Sequence, residues 1–170
     1  MSIWALYLSV KISGKLVREA SNVDQIFSIC STLAMAGWLT LVFVPRFPFV
    51  VNVLTRMLIP AAIGLIYLFL MATNIGNAPV DGNFGSLAGV KAMFTVDALL
   101  LAGWIHYLAF DLFVGSWEVE DARANGVHHL LVIPCLGATL MAGPAGLVLY
   151  LLIRTGVKFF RDRQPTEVAA

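Results

Sequence analysis

The sequence predicts an all-α integral membrane protein, a four-helix bundle with an N-terminal amphipathic segment. The first observation is composition: 59% of the 170 residues are hydrophobic and only 12% are charged, whereas soluble domains carry about 25% charged residues. The second is that the apolar residues form four long runs with few charges. A helix needs about 20 such residues to cross the hydrocarbon. Four of these runs would leave a soluble domain of this length without a polar surface.

Composition and charge exclude several other classes of protein. The formal net charge is only +1, which excludes a strongly basic nucleic-acid binder. The high apolar content excludes a disordered chain. The two cysteines, Cys30 and Cys135, lie in apolar runs without a CxxC neighbour. They are therefore interpreted as small core residues, and no disulfide framework or zinc-finger spacing is expected.

The four predicted spans cover residues 24–44, 57–75, 97–117 and 129–153. Pro45 and Pro48 end the first span, since proline cannot continue a helix. Pro60 lies in the first turn of the second span, where its missing N–H costs little. Asn125-Gly126 is a turn signal before the fourth span. That span is long, and Pro134 together with the run 143–146 is expected to kink it.

The chain is predicted to have three parts: an amphipathic N-terminal extension over 1–22, a four-span domain over 23–154 and a basic cytoplasmic tail over 155–170. In the extension, three basic residues at helical spacing accompany aromatic and aliphatic ones, which favours an interfacial helix over a signal peptide. Four spans would place both termini on one side of the membrane, with eight of the eleven basic residues. Both termini are therefore expected in the cytoplasm.

Polar residues inside the third span are candidates for a functional site, because ionisable groups in a span usually face a bundle interior or a wet cavity. At about 100° per residue, one side of the helix carries Asp97, Trp104, Tyr107, Asp111 and Gly115. Another side carries Gly103, His106, Phe110, Phe113 and Trp117. His106 and Asp111 are about 140° apart on a straight helix, so they cannot both point at one small atom.

Each of these side chains also has a purely structural interpretation. Asp111 can pair with an arginine, and His106 can donate to a backbone carbonyl. Asp97 can cap the third helix, and Asn74 can end the second. The aromatic residues Trp104, Tyr107 and Trp117 can pack against neighbouring helices or anchor the protein at the membrane–water interface.

The loop between the third and fourth predicted spans, residues 118–127, shares a membrane face with the loop between the first and second. Carboxylates, imidazoles and guanidinium groups are therefore predicted to meet in one pocket, from Asp111, Glu118, Glu120, Asp121, His128, His129, Arg46, Asn52 and Arg56. An ordinary charged loop is the favoured interpretation of Glu118, Glu120 and Arg123. The spacing matches no compact metal-binding motif, so no metal is expected.

Several stretches of the sequence carry a family resemblance: AGWLTLVFVPR (36–46), LIPA (58–61), FGSLAGVKAMF (84–94), LLAGWIHYLAFDLFVGSW (100–117), HLLVIPCL (129–136) and GPAGLVLYLLIR (143–154). Together they resemble the abscisic-acid-deficiency-four-like family of small four-span membrane proteins, also called neoxanthin-synthase-like. The resemblance covers roughly residues 22–154, and the block 103–117 is its most specific part. Plant members are required for making neoxanthin from violaxanthin, which implies a role with a carotenoid or another long polyene lipid.

The implied chemistry is an isomerisation of a 5,6-epoxide into an allenic alcohol. It needs one proton delivered to the epoxide oxygen and one removed from the adjacent chain carbon, and no cofactor is expected. Asp111 is predicted as the base, with a histidine (His106 or His129) or Tyr107 as the acid. Because His106 diverges from Asp111, the pairing of Asp111 with His129 is favoured. The residues expected to contact or tune the substrate site are Trp104, Phe110, Trp117, Arg56, Asn74 and Asp121.

A non-catalytic membrane protein that binds pigment or lipid for another enzyme is the alternative function. A transporter is disfavoured because the chain has no internal repeat and little polar lining. Heme binding is not excluded, because the chain contains His106, His128 and His129 as candidate axial ligands. The expected partners are the lipid bilayer and a polyene lipid, with no nucleic acid and no prediction of oligomeric state. Without an organelle-targeting segment, the expected location is a bacterial inner membrane.

Overall fold

The protein is all-helical. A computed structural model describes the backbone of residues 3–163 and the side chains of residues 21–163, and this part contains no β-strand. Its helices are α1 (Ile3–Phe43), a π-helix (Val50–Leu58), α2 (Ile59–Asn74), α3 (Leu87–Met93), α4 (Asp97–Ala124), α5 (His129–Ala142) and α6 (Pro144–Asp162), with a 3₁₀ turn over Ile75–Asn77. The predicted all-α class is confirmed.

Three helical stretches are long and apolar enough to cross a membrane: Ser21–Phe43, Val50–Asn77 and Asp97–Ala124. They cover the first three predicted spans except for residue 44, and they indicate a membrane protein. Large apolar side chains on them are exposed, for example Leu65 and Phe69, as expected for surfaces that face lipid. A bundle of four spanning helices is not confirmed, because the fourth apolar run is not a single helix.

The fourth run is divided at Gly143 into α5 and α6, so the prediction of one kinked span over 129–153 is wrong. Gly143 has a φ of 25°, a backbone conformation that favours glycine. Gly146 packs so closely that a Cβ there would lie 2.1 Å from the backbone nitrogen of Thr139. With 14 residues, α5 is about 21 Å long, which is short of the roughly 30 Å of hydrocarbon.

The α5–α6 hairpin, residues 129–162, enters and leaves from the same end of α4. Along α5, Leu136 lies against Gly115, and the Leu140 carbonyl accepts a hydrogen bond from the Tyr107 hydroxyl. The chain then returns, and Arg161 Nη1 donates to the Asn125 carbonyl at 2.9 Å. These contacts therefore place α5 and α6 side by side, with both ends of the hairpin at the same end of α4.

This return changes the predicted distribution of charge. The basic residues of α6 lie near the loop that follows α4, at the end where Arg123 Nη2 donates to the carbonyl oxygen of Pro45. From the sequence, the C-terminal basic residues are expected on the opposite side from Arg46, Arg56 and Arg123. The structure places them at the same end of unit 2, because the chain reverses at Gly143.

The described chain forms two compact units. Within the described residues, unit 1 comprises residues 3–32 and 64–106, and unit 2 comprises residues 33–63 and 107–163. Unit 1 includes the loop 78–86 and α3, whose first turn is capped where Gly89 N donates to Ser86 Oγ at 3.0 Å. Unit 2 holds the α5–α6 hairpin and a core of buried side chains that includes Trp38, Leu41, Ile63, Leu112 and Leu136.

The second span begins earlier than predicted, in a π-helix. The Ile59 N–H bonds to the Leu54 carbonyl, five residues back. Pro60, the next residue, has no N–H and its ring crowds the preceding turn. A local widening of the helix is one way in which a membrane helix accommodates proline. The span therefore runs continuously from Val50 through the proline.

Two predicted segments fall partly outside the described residues. The helical backbone of α1 runs from Ile3, so residues 3–22 continue directly into the first span. The side chains on which the predicted amphipathic character of residues 1–22 depends lie outside the described set up to residue 20. In the predicted tail, α6 continues to Asp162, and residues 164–170 lie outside the described part.

Candidate functional site

Two carboxyl groups, Asp111 and Glu118, lie on one face of α4 within unit 2. A separation of seven residues turns the helix almost two full times, so the two side chains point in directions about 20° apart. Their Cα positions are about 10 Å apart along the axis. Both carboxyl groups face the α5–α6 hairpin: Asp111 lies against Gly143, and Glu118 lies against Thr139.

Glu118 is fully buried, with 0% of its surface exposed. Its Oε1 accepts a hydrogen bond from Thr139 Oγ1 at 2.9 Å. Its Oε2 is buried without a hydrogen-bond partner among the described residues. A buried carboxyl group with an unsatisfied oxygen is costly, and such groups within membrane spans usually serve a function. Glu118 is therefore the strongest candidate in unit 2.

The interpretation of Glu118 as an ordinary loop charge is wrong. The third span was expected to end at residue 117, but α4 continues to Ala124 and carries Glu118 into the contact with the hairpin. Its spacing of seven residues from Asp111 was the available signal, since that spacing places both acids on one helical face.

Asp111 is half-buried beside the turn of the hairpin. Its Oδ2 is buried without a hydrogen-bond partner among residues 21–163. No arginine or lysine pairs with it in that range. The Tyr107 hydroxyl contacts the Asp111 carboxyl group and also reaches the Leu140 carbonyl. The phenol therefore lies between two acceptors, and its single O–H can donate to either of them.

His129 lies far from Asp111. Its Nε2 is 3.1 Å from the carbonyl oxygen of Val42, and the residue begins α5. Asp111 lies beside Gly143, just beyond the other end of α5, so the two residues are about 20 Å apart. The structure does not bring Asp111 and His129 together, and the pairing favoured by the sequence analysis is not possible here.

Arg56 is held by Glu120 and not by Asp111. It forms a salt bridge with Glu120 and lies 5.2 Å from the ring centre of Phe113. Asn52 Nδ2 donates to Glu120 Oε1 at 3.0 Å. Both Asn52 and Arg56 come from the π-helix, and neighbouring Thr55 accepts from Ser116 at 3.0 Å. These contacts fix the π-helix to α4.

Asp121 and Trp117 lie in the contact between α4 and α6. The Tyr150 hydroxyl donates to Asp121, and Arg154 Nε lies 3.0 Å from Asp121 Oδ2. Trp117 meets the ring of Tyr150 edge-on at 5.5 Å. Asp121 and Trp117 were expected to contact a substrate. In the structure both pack against residues of α6.

The other predicted site residues are spread over both units. In unit 1, His106 is exposed and its ring lies 5.6 Å from that of Tyr67. Trp104 lies 5.9 Å from Phe27 and lines a cavity of about 420 Å³. Asn74 ends α2, where its side chain donates to the Leu70 carbonyl at 2.9 Å. In unit 2, Phe110 is 61% exposed.

The chemical capacity of the unit 2 site is proton transfer. Two carboxyl groups on one helical face, each with a buried oxygen that no described group satisfies, can act as a proton donor and a proton acceptor when water is scarce. The described residues contain no group of three or more His, Cys, Asp or Glu side chains that could hold a metal ion. The candidate site is therefore built from Asp111, Glu118, Tyr107 and Thr139.

No curated protein and no solved structure matches the chain. A family model described as ABA DEFICIENT 4-like matches residues 25–150. The matched range includes most of the first candidate span, the whole of the other two and the turn of the α5–α6 hairpin, and hence both carboxyl groups of the site. This match confirms the resemblance inferred from the sequence. The chain belongs to the ABA DEFICIENT 4-like family.

Proposed function

We propose that the protein binds a carotenoid or another long polyene lipid within the membrane and isomerises an epoxide on it by acid/base chemistry. The observation that carries the proposal is the placement of Asp111 and Glu118 on one face of α4, each with a buried oxygen lacking a partner in the described part of the chain. Family membership supports a neoxanthin-synthase-like role. The apolar spans supply a surface that a polyene can occupy.

The proposed reaction conserves atoms and electrons within the substrate. A carboxylate removes a proton from the chain carbon next to the epoxide. The electron pair of that C–H bond forms the new double bond while the C–O bond of the epoxide breaks. A carboxylic acid then delivers a proton to the freed oxygen, which gives an allenic alcohol with the composition of the substrate.

Hydrogen bonding suggests which carboxyl group takes each role. The Thr139 hydroxyl donates to Oε1 of Glu118, so a proton carried by Glu118 belongs on Oε2, the oxygen without a described partner. Glu118 therefore suits the acid, in place of His129. Asp111 keeps the role of base, next to the Tyr107 phenol, which contacts both the Asp111 carboxyl group and the Leu140 carbonyl.

A non-catalytic pigment- or lipid-binding role is the second candidate, and the position of Gly143 favours it. The backbone of Gly143 packs against the Asp111 carboxyl group, so the hairpin covers this acid. In this role Asp111 holds the turn of the hairpin, and the protein presents a bound lipid to another membrane enzyme.

We also propose that the end of unit 2 that holds the hairpin termini faces the cytoplasm. It carries seven of the eleven basic residues of the chain: Arg46, Arg56, Arg123, Arg154, Lys158, Arg161 and Arg163. Positive residues are concentrated in cytoplasmic segments of membrane proteins. Three crossings would then place the two ends of the chain on opposite faces of the membrane, in place of the shared side that four spans predict.

Purification in detergent, followed by an absorption spectrum and lipid extraction, tests the proposed function. A bound polyene with visible absorption, converted by the wild type and retained but not converted by Asp111→Asn, is the expected result. A bound polyene that is never converted supports the non-catalytic role. A colourless protein from a carotenoid-producing host, with no change in carotenoids on gene deletion, contradicts both. Glu120→Gln is the matched control, because Glu120 is paired with Arg56.

A further inference from the structure

An open groove lies at the basic end of unit 2, between residues 42–47 and 119–133. Its volume is about 970 Å³, and none of the residues that line it is Asp or Glu. Four of them carry or can carry positive charge: Arg46, Arg123, His128 and His129. The groove is therefore a concave surface with the charge that an anionic ligand requires.

The two arginines line the same groove, and neither forms a salt bridge with a carboxylate within the described residues. Arg123 Nη2 donates to the carbonyl oxygen of Pro45 at 3.4 Å, which brings its guanidinium group beside the residue that precedes Arg46. Both side chains are exposed. The acids nearest in sequence on α4 are occupied elsewhere, since Glu120 pairs with Arg56 and Asp121 with Arg154.

The walls of the groove include large apolar side chains that the protein leaves exposed. Phe43 is 75% exposed, Phe47 is 61% exposed and Leu130 is 67% exposed, and all three line the groove. Phe43 is the last residue of the first candidate span. The groove therefore lies where the hydrocarbon meets the head groups, with cations and apolar walls in one concavity.

We propose that this groove binds an anionic phospholipid. Its phosphate would lie between Arg46 and Arg123, as expected for the basic pockets that membrane proteins use to hold acidic head groups. One acyl chain would follow Phe43, Phe47 and Leu130. A free inorganic anion would need the arginines but not the apolar walls, so the walls favour a lipid. The inference is independent of the isomerase proposal.

Two of the residues that line the groove also have a structural role, and this determines which residue should be substituted in the test. His129 lies 3.1 Å from the Val42 carbonyl and Arg123 donates to that of Pro45. The carbonyl groups at the end of a helix need hydrogen-bond donors such as these. Substitution of His129 or Arg123 would therefore alter the fold as well as the charge. Arg46 makes no such contact within the described residues, and it is the better position to change.

The test uses the full chain in detergent and measures the binding of phosphatidylglycerol, which is anionic, against phosphatidylcholine, which is zwitterionic, by native mass spectrometry. We expect retention of phosphatidylglycerol only. Arg46→Gln should weaken its binding about fivefold, the effect of one basic residue near an anionic membrane surface. Arg46→Glu should weaken it further. Lys158→Gln is the matched control, because Lys158 is an exposed cation outside the groove, and it should leave binding unchanged.

Competition with inorganic phosphate distinguishes a site for a phospholipid head group from a site for free phosphate. If millimolar phosphate leaves phosphatidylglycerol bound, the lipid proposal is supported; if phosphate displaces it completely, the groove is a site for a free anion. Equal retention of the two lipids overturns the proposal. An effect of Lys158→Gln as large as that of Arg46→Gln also overturns it, since binding would then follow total charge alone.

Discussion

The backbone of Gly143 packs against the carboxyl group of Asp111: a Cβ built on this glycine would lie 2.8 Å from Asp111 Oδ1. The φ of 25° at Gly143 permits the reversal between α5 and α6, and the absence of a side chain permits the approach to the acid. The same residue therefore turns the hairpin and sets the surroundings of Asp111. The family resemblance includes this segment, GPAG, so the turn and the acid are both part of the recognised pattern.

Replacement of Gly143 by alanine should destabilise the protein. The φ of 25° is unfavourable for a residue with a side chain, and such backbone strain costs about 1–3 kcal/mol. The added methyl group would also collide with Asp111. Gly137→Ala is the control, because a Cβ at Gly137 meets nothing within 4 Å. Chemical unfolding in detergent measures both variants, and equal stabilities would contradict the described turn.

Loss of the Thr139 hydroxyl should also destabilise the protein. In Thr139→Val, Oε1 of the fully buried Glu118 loses its donor, and an unsatisfied buried polar group costs about 1–3 kcal/mol. Thr155→Val is the control, since the exposed Thr155 hydroxyl donates only to the Leu151 carbonyl of its own helix. The free energy of unfolding should fall for Thr139→Val alone. A fall of the same size in both variants would show that the Glu118 contact contributes nothing.

The reversal of the chain at Gly143 predicts that α6 ends on the same membrane face as the loop after α4. Single cysteines at His128 and Lys158, in a chain whose native Cys30 and Cys135 are buried, should react with a membrane-impermeant maleimide from the same side. Cysteine at Leu87, in the α3 segment of unit 1, serves as the comparison position. Labelling of positions 128 and 158 from opposite sides would mean that the chain crosses the membrane after residue 129.

The ion pair between Arg56 and Glu120 should contribute little to stability. Both side chains are partly exposed, at 29% and 37%, and pairs of this kind couple by about 0.2–1 kcal/mol. A double-mutant cycle with Arg56→Gln and Glu120→Gln measures the coupling free energy. A coupling of several kcal/mol would show that the pair is more deeply buried in the membrane than its exposure indicates.

The helices were largely predictable because apolar length and proline are strong local signals. Pro45 marks the end of the first span within two residues, and Asp97 begins α4 as expected. The reversal at Gly143 was not predictable from hydropathy, since a run of apolar residues has the same composition whether it crosses the membrane or returns. Contacts such as those of Gly146 with Thr139 and of Arg161 with Asn125 distinguish the two.

The candidate site was predictable in part. The choice of Asp111 as a site residue follows from the free-energy cost of a charge within a membrane span. The residue paired with it could not be predicted, because that depends on the direction of the following helix. A fourth span would have started with His129, whereas the hairpin places His129 about 20 Å from Asp111 and brings Thr139 to Glu118. The remaining error concerns Glu118, which was predicted to lie in a loop. Because α4 continues for seven residues beyond the predicted end, Glu118 lies on the helix and in a buried contact.

Conversion of a 5,6-epoxy carotenoid by the purified protein, followed by chromatography of the product, tests the central claim most directly. Glu118→Gln preserves the shape of the side chain and its acceptor toward Thr139, but it removes the acid. We expect this variant to retain the polyene while its turnover falls about 100-fold or more, and we expect Glu120→Gln to convert the polyene like the wild type. Unchanged turnover in folded Glu118→Gln would rule out Glu118 as the acid.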